Sequence, residues 1–155
     1  MKAACVLACL ALAGLPQFAA AQNENGLAQR AQRAERVVVG TIVDVDAVFE
    51  TNEYGDQLIV SKVTLRVDET LKGPDEESVE VSVEGGTIGD LTLEVSDMPT
   101  VKRGERAALF LYRARGGSLV PRDRGLGIAK LNASDRVEGT DMTLDDIRQA
   151  VRGGR

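Results

Sequence analysis

The stretch VVVGTIVDVDAVF, residues 37–49, decides the fold of this chain. Its first half is apolar at almost every position, which is typical of a strand buried on both faces of a sheet. Its second half alternates apolar and acidic residues, which indicates a strand near an edge or rim with one wet face. The alternation places positions 37, 39, 43, 45, 47 and 49 on one face and positions 38, 40, 42, 44 and 46 on the other.

The chain that follows predicts a hairpin and then several shorter strands. Glu50–Gln57 is a polar loop with turn-forming residues, and the alternation resumes over Ile59–Val67. Pro74 lacks an amide hydrogen and ends this second strand region. Further strands are predicted over Val79–Val83, Leu91–Val95, Ala107–Tyr112, Leu119–Val120 and Leu126–Leu131.

Two helices are predicted at the ends of the folded region. Leu27–Glu35 has apolar residues at helical spacing, with Arg30 and Arg33 expected on the solvent side. A second helix is predicted over 143–152, with Thr143 as its N-cap and an acidic capping-box residue three positions later.

The N-terminal residues 1–21 resemble a secretory signal peptide. A lysine precedes an apolar run that is too short to span a bilayer comfortably, and three small residues end at Ala21. We expect cleavage after Ala21, a single domain over 22–155, and export to the periplasm or the medium without membrane insertion of the mature chain.

The residue inventory excludes several kinds of chemistry. The chain carries a net charge of −5 and contains no histidine, and its two cysteines, Cys5 and Cys9, lie in the signal segment. A mature chain without either residue type has no Ser-His-Asp triad, cysteine nucleophile, disulfide or zinc site of the usual kind. A mildly acidic domain is also a poor candidate for nucleic-acid binding, which depends on phosphate neutralisation. We expect no cofactor.

Five principal strands with peripheral helices favour a mostly β fold, a small antiparallel barrel of the OB type. Five motifs follow one another along the chain: VVVG at 37–40, Val63–Val67, LKG at 71–73, Val79–Val83, and Gly104-Glu105 leading to Leu109-Phe110-Leu111. In this order they resemble the netrin-like domain, the OB fold shared with tissue inhibitors of metalloproteinases. Among these proteins, the chain resembles most closely the short exported bacterial members without assigned activity.

The resemblance implies an OB-like fold and a general tendency to bind other proteins. Gly73 is expected to let the chain turn where a strand ends, and Gly104 is expected to adopt positive φ just before the next strand begins. The metalloproteinase inhibitors chelate the zinc of the protease through an N-terminal cysteine, but the expected mature N-terminus here is Gln22. Zinc-chelating inhibition is therefore not implied for this chain.

The leading hypothesis is a non-enzymatic, monomeric binding module for an envelope or extracellular protein. By analogy with the fold, the contacts are expected from two loops at one rim, Glu50–Gln57 and Asp97–Arg106. The residues expected to touch the partner are Glu53, Tyr54, Asp56 and Met98.

A rival hypothesis is a small or polymeric anionic ligand bound by a cluster of arginines, above all Arg113 and Arg115. The same arginines also fit a simpler role, in which they balance the acidic stretch Asp68–Glu84. The cluster comprises Arg103, Arg106, Arg113, Arg115, Arg122 and Arg124.

Other polar groups predict structural roles. A hairpin centred on Tyr54 places Asp46 opposite Lys62 and Asp44 opposite Thr64, which favours cross-strand ion pairing over a calcium site. A serine-dependent hydrolase is the remaining alternative. The neighbouring Ser61 and Lys62, which such an enzyme would use as nucleophile and base, point to opposite faces of a strand.

Overall fold

The structure is a computed structural model that describes residues 26–52 and 54–154. The predicted signal segment, its cleavage after Ala21, and Glu53 therefore lie outside the described residues. Helix α1 is described over 26–33, and α2 spans Leu144–Gly153. The strands are β1 (Arg36–Thr51), β2 (Gln57–Lys72), β3 (Ser78–Glu84), β4 (Gly86–Ile88), β5 (Leu91–Leu93), β6 (Arg106–Arg113), β7 (Leu119–Pro121) and β8 (Ile128–Leu131).

Six of these strands form one antiparallel sheet in the order β3-β2-β1-β6-β7, with β8 paired to the first half of β6. Strands β4 and β5 form a separate two-stranded ribbon. At the far ends of the sheet, β7 lies against β3, but no ladder among the described residues joins the two strands. The predicted mostly β, antiparallel fold with two helices is confirmed. The sheet is not closed into a barrel, because the described strands β3 and β7 are not paired.

Strand β1 is irregular, and its irregularity changes which side chains share a face. Register shifts interrupt the pairing of β1 with β2 at three places between residues 37 and 44. Each shift can reverse the face that the following side chains take. As a result, Val37 and Val39 pack beneath the helices, whereas Ile42 and Val45 pack in the core on the opposite face. The predicted single alternation along β1 is therefore wrong.

Apolar cores lie on both faces of the sheet. On one face, α1 and α2 cover the strands and bury Phe110 and Ile147. On the other face, Leu65, Val81 and Leu109 belong to a second core. This double burial confirms the expectation for the first half of β1 and for the apolar run of β6.

The N-terminal helix confirms one expectation and corrects another. Its apolar face is buried, and Arg33 is exposed as predicted. Arg30 is not on the solvent side: its side chain is 12% exposed, and its guanidinium lies 5.8 Å from the centroid of the Phe110 ring. Residue 30 lies three positions after Leu27 and four before Ala34, so the helix carries it towards their buried face. Burial lowers the pKa of Arg30, and the carboxylate of Asp123 opposes this effect.

Two local predictions are confirmed, one about the start of α2 and one about glycines at strand ends. Thr143 caps α2 in a capping box, in which its hydroxyl accepts from the amide of Asp146 at 3.3 Å and its own amide donates to the Asp146 carboxylate at 2.7 Å. Gly73 and Gly104 have φ angles of 98° and 88°. Both lie in the left-handed region that glycine adopts without strain.

The region between β3 and β6 departs from the prediction. The strand predicted over Leu91–Val95 is present only as β5, and Leu91 is 61% exposed. Its partner β4 was not predicted, because the sequence GTI has too few residues for an alternation to appear. The resulting ribbon lies beside the sheet and forms one wall of the site described next.

Candidate functional site

The outer half of the β1–β2 hairpin forms an arm, defined as Asp44–Thr51 paired with Gln57–Thr64. The pairing of β1 with β6 ends at Thr41, so β6 does not accompany β1 into the arm. Strand β3 pairs with β2 only from Ser61 onwards. Among the described strands, the β1 side of the arm therefore has no neighbour other than β2, and β3 accompanies the β2 side only over Ser61–Thr64.

The register of the arm is the one predicted, with Asp46 opposite Lys62 and Asp44 opposite Thr64. Lys62 forms its ion pair with Glu50, on the same face of the ladder, rather than with the residue directly opposite. Among residues 26–52 and 54–154, no three acidic, histidine or cysteine side chains are arranged to hold a metal ion.

The tip of the arm presents large apolar surface to solvent. Tyr54 is 82% exposed, and Phe49 is 49% exposed. The side-chain oxygen of Asn52 accepts from the amides of Tyr54 and Asp56, both at 2.9 Å, which fixes the turn. Tyr54 is thus exposed as expected. The predicted alternation placed Phe49 on the same face as Val37 and Val39, which are buried, but in the structure about half of Phe49 is exposed.

A cleft of about 680 Å³ lies between the arm, the β4–β5 ribbon and the segment after β5. Its volume is within the usual range for ligand sites. Met98 lines this cleft and also packs against the core. The lining consists of residues 45–47 from β1, residue 61 from β2, residues 83–88, residues 92–96 and residues 98–101.

The cleft is acidic. Asp46, Glu84 and Glu94 line it, and no lysine or arginine does so in the part of the chain that the structure describes. Glu84 is neutralised by Arg124, whose Nη2 donates to it at 3.0 Å. Asp46 and Glu94 have no ion-pair partner within the described ranges. Glu94 therefore adds an unpaired acidic residue to the cleft, whereas the Asp46 side chain lies on the opposite face of the arm from Val45 and Ala47, directly across the ladder from Lys62.

Arg124 also holds the segment that forms one wall of the cleft. Its Nε donates to the carboxylate of Asp97, and the amide of Gly125 donates to the Asp97 carbonyl at 3.1 Å. The hydrogen bond from Arg124 lowers the pKa of Asp97, and the same contact raises the pKa of Arg124. Both Asp123 and Arg124 adopt positive φ, at 57° and 55°, a conformation uncommon for residues with a β-carbon.

The structure brings together only part of the predicted site. Met98 lies in the cleft, whereas Tyr54 and Asp56 lie at the arm tip and do not line it. The acidic cleft residue Glu94 was missed by sequence reasoning. Its place in an apolar alternation gave it the appearance of an ordinary solvent-facing strand residue, and the chain carries no signal that would have distinguished it.

The arginine cluster is divided among separate contacts. Arg113 lies 3.7 Å from Glu35 and donates to the carbonyl of Gly117 at 2.7 Å, and Arg115 is exposed. The simpler hypothesis expected the arginines to pair with the acidic stretch Asp68–Glu84. Arg124 does so, because it pairs with Glu84. Elsewhere, Arg106 pairs with Asp135, and Arg122 lies 4.0 Å above the ring of Tyr112.

The structure contains a serine–lysine contact, but it joins Lys62 to Ser82 and not to Ser61. Ser61 donates its hydroxyl hydrogen to the carbonyl of Gly85 at 2.7 Å. Lys62 instead donates to Ser82 at 2.9 Å across the β2–β3 ladder. Because the ammonium of Lys62 is also paired with Glu50, it acts here as a donor to the serine, not as its base.

Comparison with known proteins adds no relative. Neither a scan against protein-family models nor a search of curated proteins finds a match for the chain. Within the described ranges, both helices fall short of the length and apolar character that a membrane crossing requires. Functional inference for this chain therefore rests on the site itself.

Proposed function

We propose that this chain is an exported, non-enzymatic module that binds another protein through the arm and the cleft beside it. The observation that carries the proposal is the juxtaposition of an acidic cleft with an arm whose tip exposes Tyr54 and Phe49. Tyrosine and phenylalanine are enriched in protein interfaces, because they bury much area at small entropic cost.

An OB-like, netrin-like barrel is the architecture that we propose for the module. The support is topological: β1 pairs with both β2 and β6, β2 pairs with β3, and β7 pairs with β6 and lies against β3. This order brings the two ends of the sheet together, as in a five-stranded, partly open barrel. Export is supported by the sequence of residues 1–21 and monomeric behaviour by the net negative charge.

A protein partner is favoured over an anionic ligand by the distribution of charge. The cleft carries carboxylates, and Arg113 is engaged by Glu35 and Gly117. A non-enzymatic role is favoured because Ser82 accepts from an ion-paired lysine. If the protein were a serine hydrolase that uses this contact, Ser82→Ala would abolish its turnover.

The proposal is tested by affinity capture with immobilised residues 22–155. Envelope and culture-supernatant extracts are applied at low and high salt, and bound proteins are identified by mass spectrometry. We expect a protein that resists high salt, is lost with Tyr54→Ala or Phe49→Ala, and is retained by Leu126→Ala, which removes an exposed apolar side chain outside the arm and the cleft lining.

Three results would count against the proposal. The first is equal loss with Leu126→Ala, which would indicate capture by exposed apolar surface in general. The second is material that high salt or the double change Arg113→Ala, Arg115→Ala removes, which would favour an anionic ligand. The third is the absence of any captured protein from both extracts.

A further inference from the structure

We propose that the partner of this module contributes an extended, basic segment that adds as a strand to the free edge of β1 within the cleft. This inference deepens the proposed function and rests on it. It names both the chemistry of the partner and the atoms that hold it: backbone amides and carbonyls of the arm, with carboxylates of the cleft beside them.

The free edge begins where β6 leaves β1. The last backbone contacts on that side are made by Ile42, whose amide donates to the Glu105 carbonyl and whose carbonyl accepts from the Gly104 amide, both at 2.8 Å. Beyond this point, Asp44–Thr51 has β2 as its sole ladder partner among the described strands. An unpaired strand edge is a ready template for another strand.

The free edge of β1 is long enough to bind a specific peptide, and it borders the apolar floor of the cleft. At about 3.4 Å per residue, Asp44–Thr51 offers an edge of roughly 27 Å. Val45 and Ala47 line the cleft on this strand, and Met98 and Val101 line it from the opposite wall. A strand in the cleft would alternate one side chain towards this apolar floor and the next towards solvent.

Charge selects the kind of segment. Asp46 borders the free edge on the face of β1 opposite Val45 and Ala47, Glu94 lines the cleft, and neither forms an ion pair among the described residues. Lysine or arginine in the added strand would provide one. Asp44 and Asp46 disfavour a second copy of this chain as the partner, because pairing of two β1 edges would bring each of them near its own counterpart.

The test uses a defined probe, a capped peptide that alternates lysine with valine and threonine. Its binding to residues 22–155 is followed by NMR, through backbone amide shifts and hydrogen exchange. We expect slower exchange for amides within Asp44–Thr51 on the free side of β1. We also expect the affinity to fall about tenfold with Asp46→Asn or Glu94→Gln, the loss of one charge-assisted hydrogen bond, and to be unchanged with the surface control Asp141→Asn.

Two peptide controls separate strand addition from charge attraction. A version N-methylated at alternate residues keeps every charge but cannot complete a ladder, and we expect it not to bind. A version with glutamate in place of lysine keeps the backbone, and we expect its affinity to be at least about tenfold lower.

The inference and the proposed function fail in different ways. Equal binding of the N-methylated peptide or no protection of β1 amides would overturn strand addition. Self-association that the peptide displaces would overturn the assignment of this edge to a basic segment of another protein. Capture of the natural partner that survives Asp46→Lys with Glu94→Lys would also overturn it while leaving the module's proposed function intact. If the double change to lysine abolishes capture of the natural partner, and Tyr54→Ala abolishes it too, strand addition and the proposed function are both supported.

Discussion

Arg124 lies against Asp97 and thereby connects the loop after β7 to the segment that forms a wall of the cleft. The same guanidinium also reaches Glu84, the last residue of β3. One side chain therefore joins three parts of the chain around the cleft. Its own backbone is held at positive φ, which is sustained only where the surrounding contacts determine it.

Arg124→Ala should open this wall of the cleft and weaken binding of the basic peptide, although it frees Glu84 to add negative charge. We expect little change in the free energy of unfolding, less than about 1 kcal/mol, because the ion pair is exposed. Chemical denaturation and peptide titration measure the two effects. Arg66→Ala, which removes another exposed, ion-paired arginine, is the matched control and should leave peptide binding unchanged. A binding constant unaffected by Arg124→Ala would show that Arg124 does not position the wall.

The Asp97 carboxyl should titrate below its ordinary pKa, because Arg124 donates a hydrogen bond to the ionised form. The stabilisation from a depressed pKa is present above the unfolded value and is lost as the pH falls through the folded value. NMR titration of the side-chain carboxyl carbon reports this pKa. In Arg124→Ala the pKa of Asp97 should move back towards its ordinary value. An unchanged titration midpoint would refute the contact between Arg124 and Asp97.

Thr143→Ala should destabilise the fold by about 1 kcal/mol through loss of the α2 cap. The paired Asp146 has a pKa lowered by the Thr143 amide and hydroxyl, so its contribution is present at neutral pH and is lost on acidification through the lowered value. Urea unfolding at neutral and acidic pH measures both effects. Thr143→Ser retains a capping hydroxyl and should be close to wild type, whereas equal destabilisation by both changes would exclude the cap as the cause.

Gly40→Ala should disrupt the sheet at its centre. A β-carbon at this position would lie 2.0 Å from the carbonyl oxygen of Arg66 on β2, so the strands would have to separate. We expect the free energy of unfolding to fall by about 1–3 kcal/mol, which is typical of overpacking. Gly116→Ala is the control, because its φ lies outside the left-handed region and the space around it is open. Similar losses for the two variants would contradict close strand approach at Gly40.

Sequence reasoning succeeded where a local pattern has one physical solution. Apolar spacing identified both helices, Thr143 with Asp146 identified a helix start, and the turn around Tyr54 fixed the arm register. It failed where the structure depends on distant contacts. The bulges in β1 reversed the face of Val45, and α1 docking buried Arg30 against Phe110.

The candidate site shows the same division. The exposure of Tyr54 follows from its place in a polar turn, and it was predicted. The cleft depends on a ribbon of two very short strands and on a wall tied by Arg124 to Asp97, residues far apart in sequence. Neither feature has a local signature, so Asp46 and Glu94 could not be recognised as neighbours of Met98.

Site-specific photocrosslinking tests whether the arm tip and the cleft contact one and the same partner. A photoreactive amino acid is placed at position 54 on the arm tip, at position 98 in the cleft, or at position 141 near α2 as the control. The variants are exposed to native envelope and supernatant extracts. We expect positions 54 and 98 to crosslink the same protein and position 141 not to crosslink it. Crosslinks confined to position 141, or none at positions 54 and 98, would contradict an arm-and-cleft binding module.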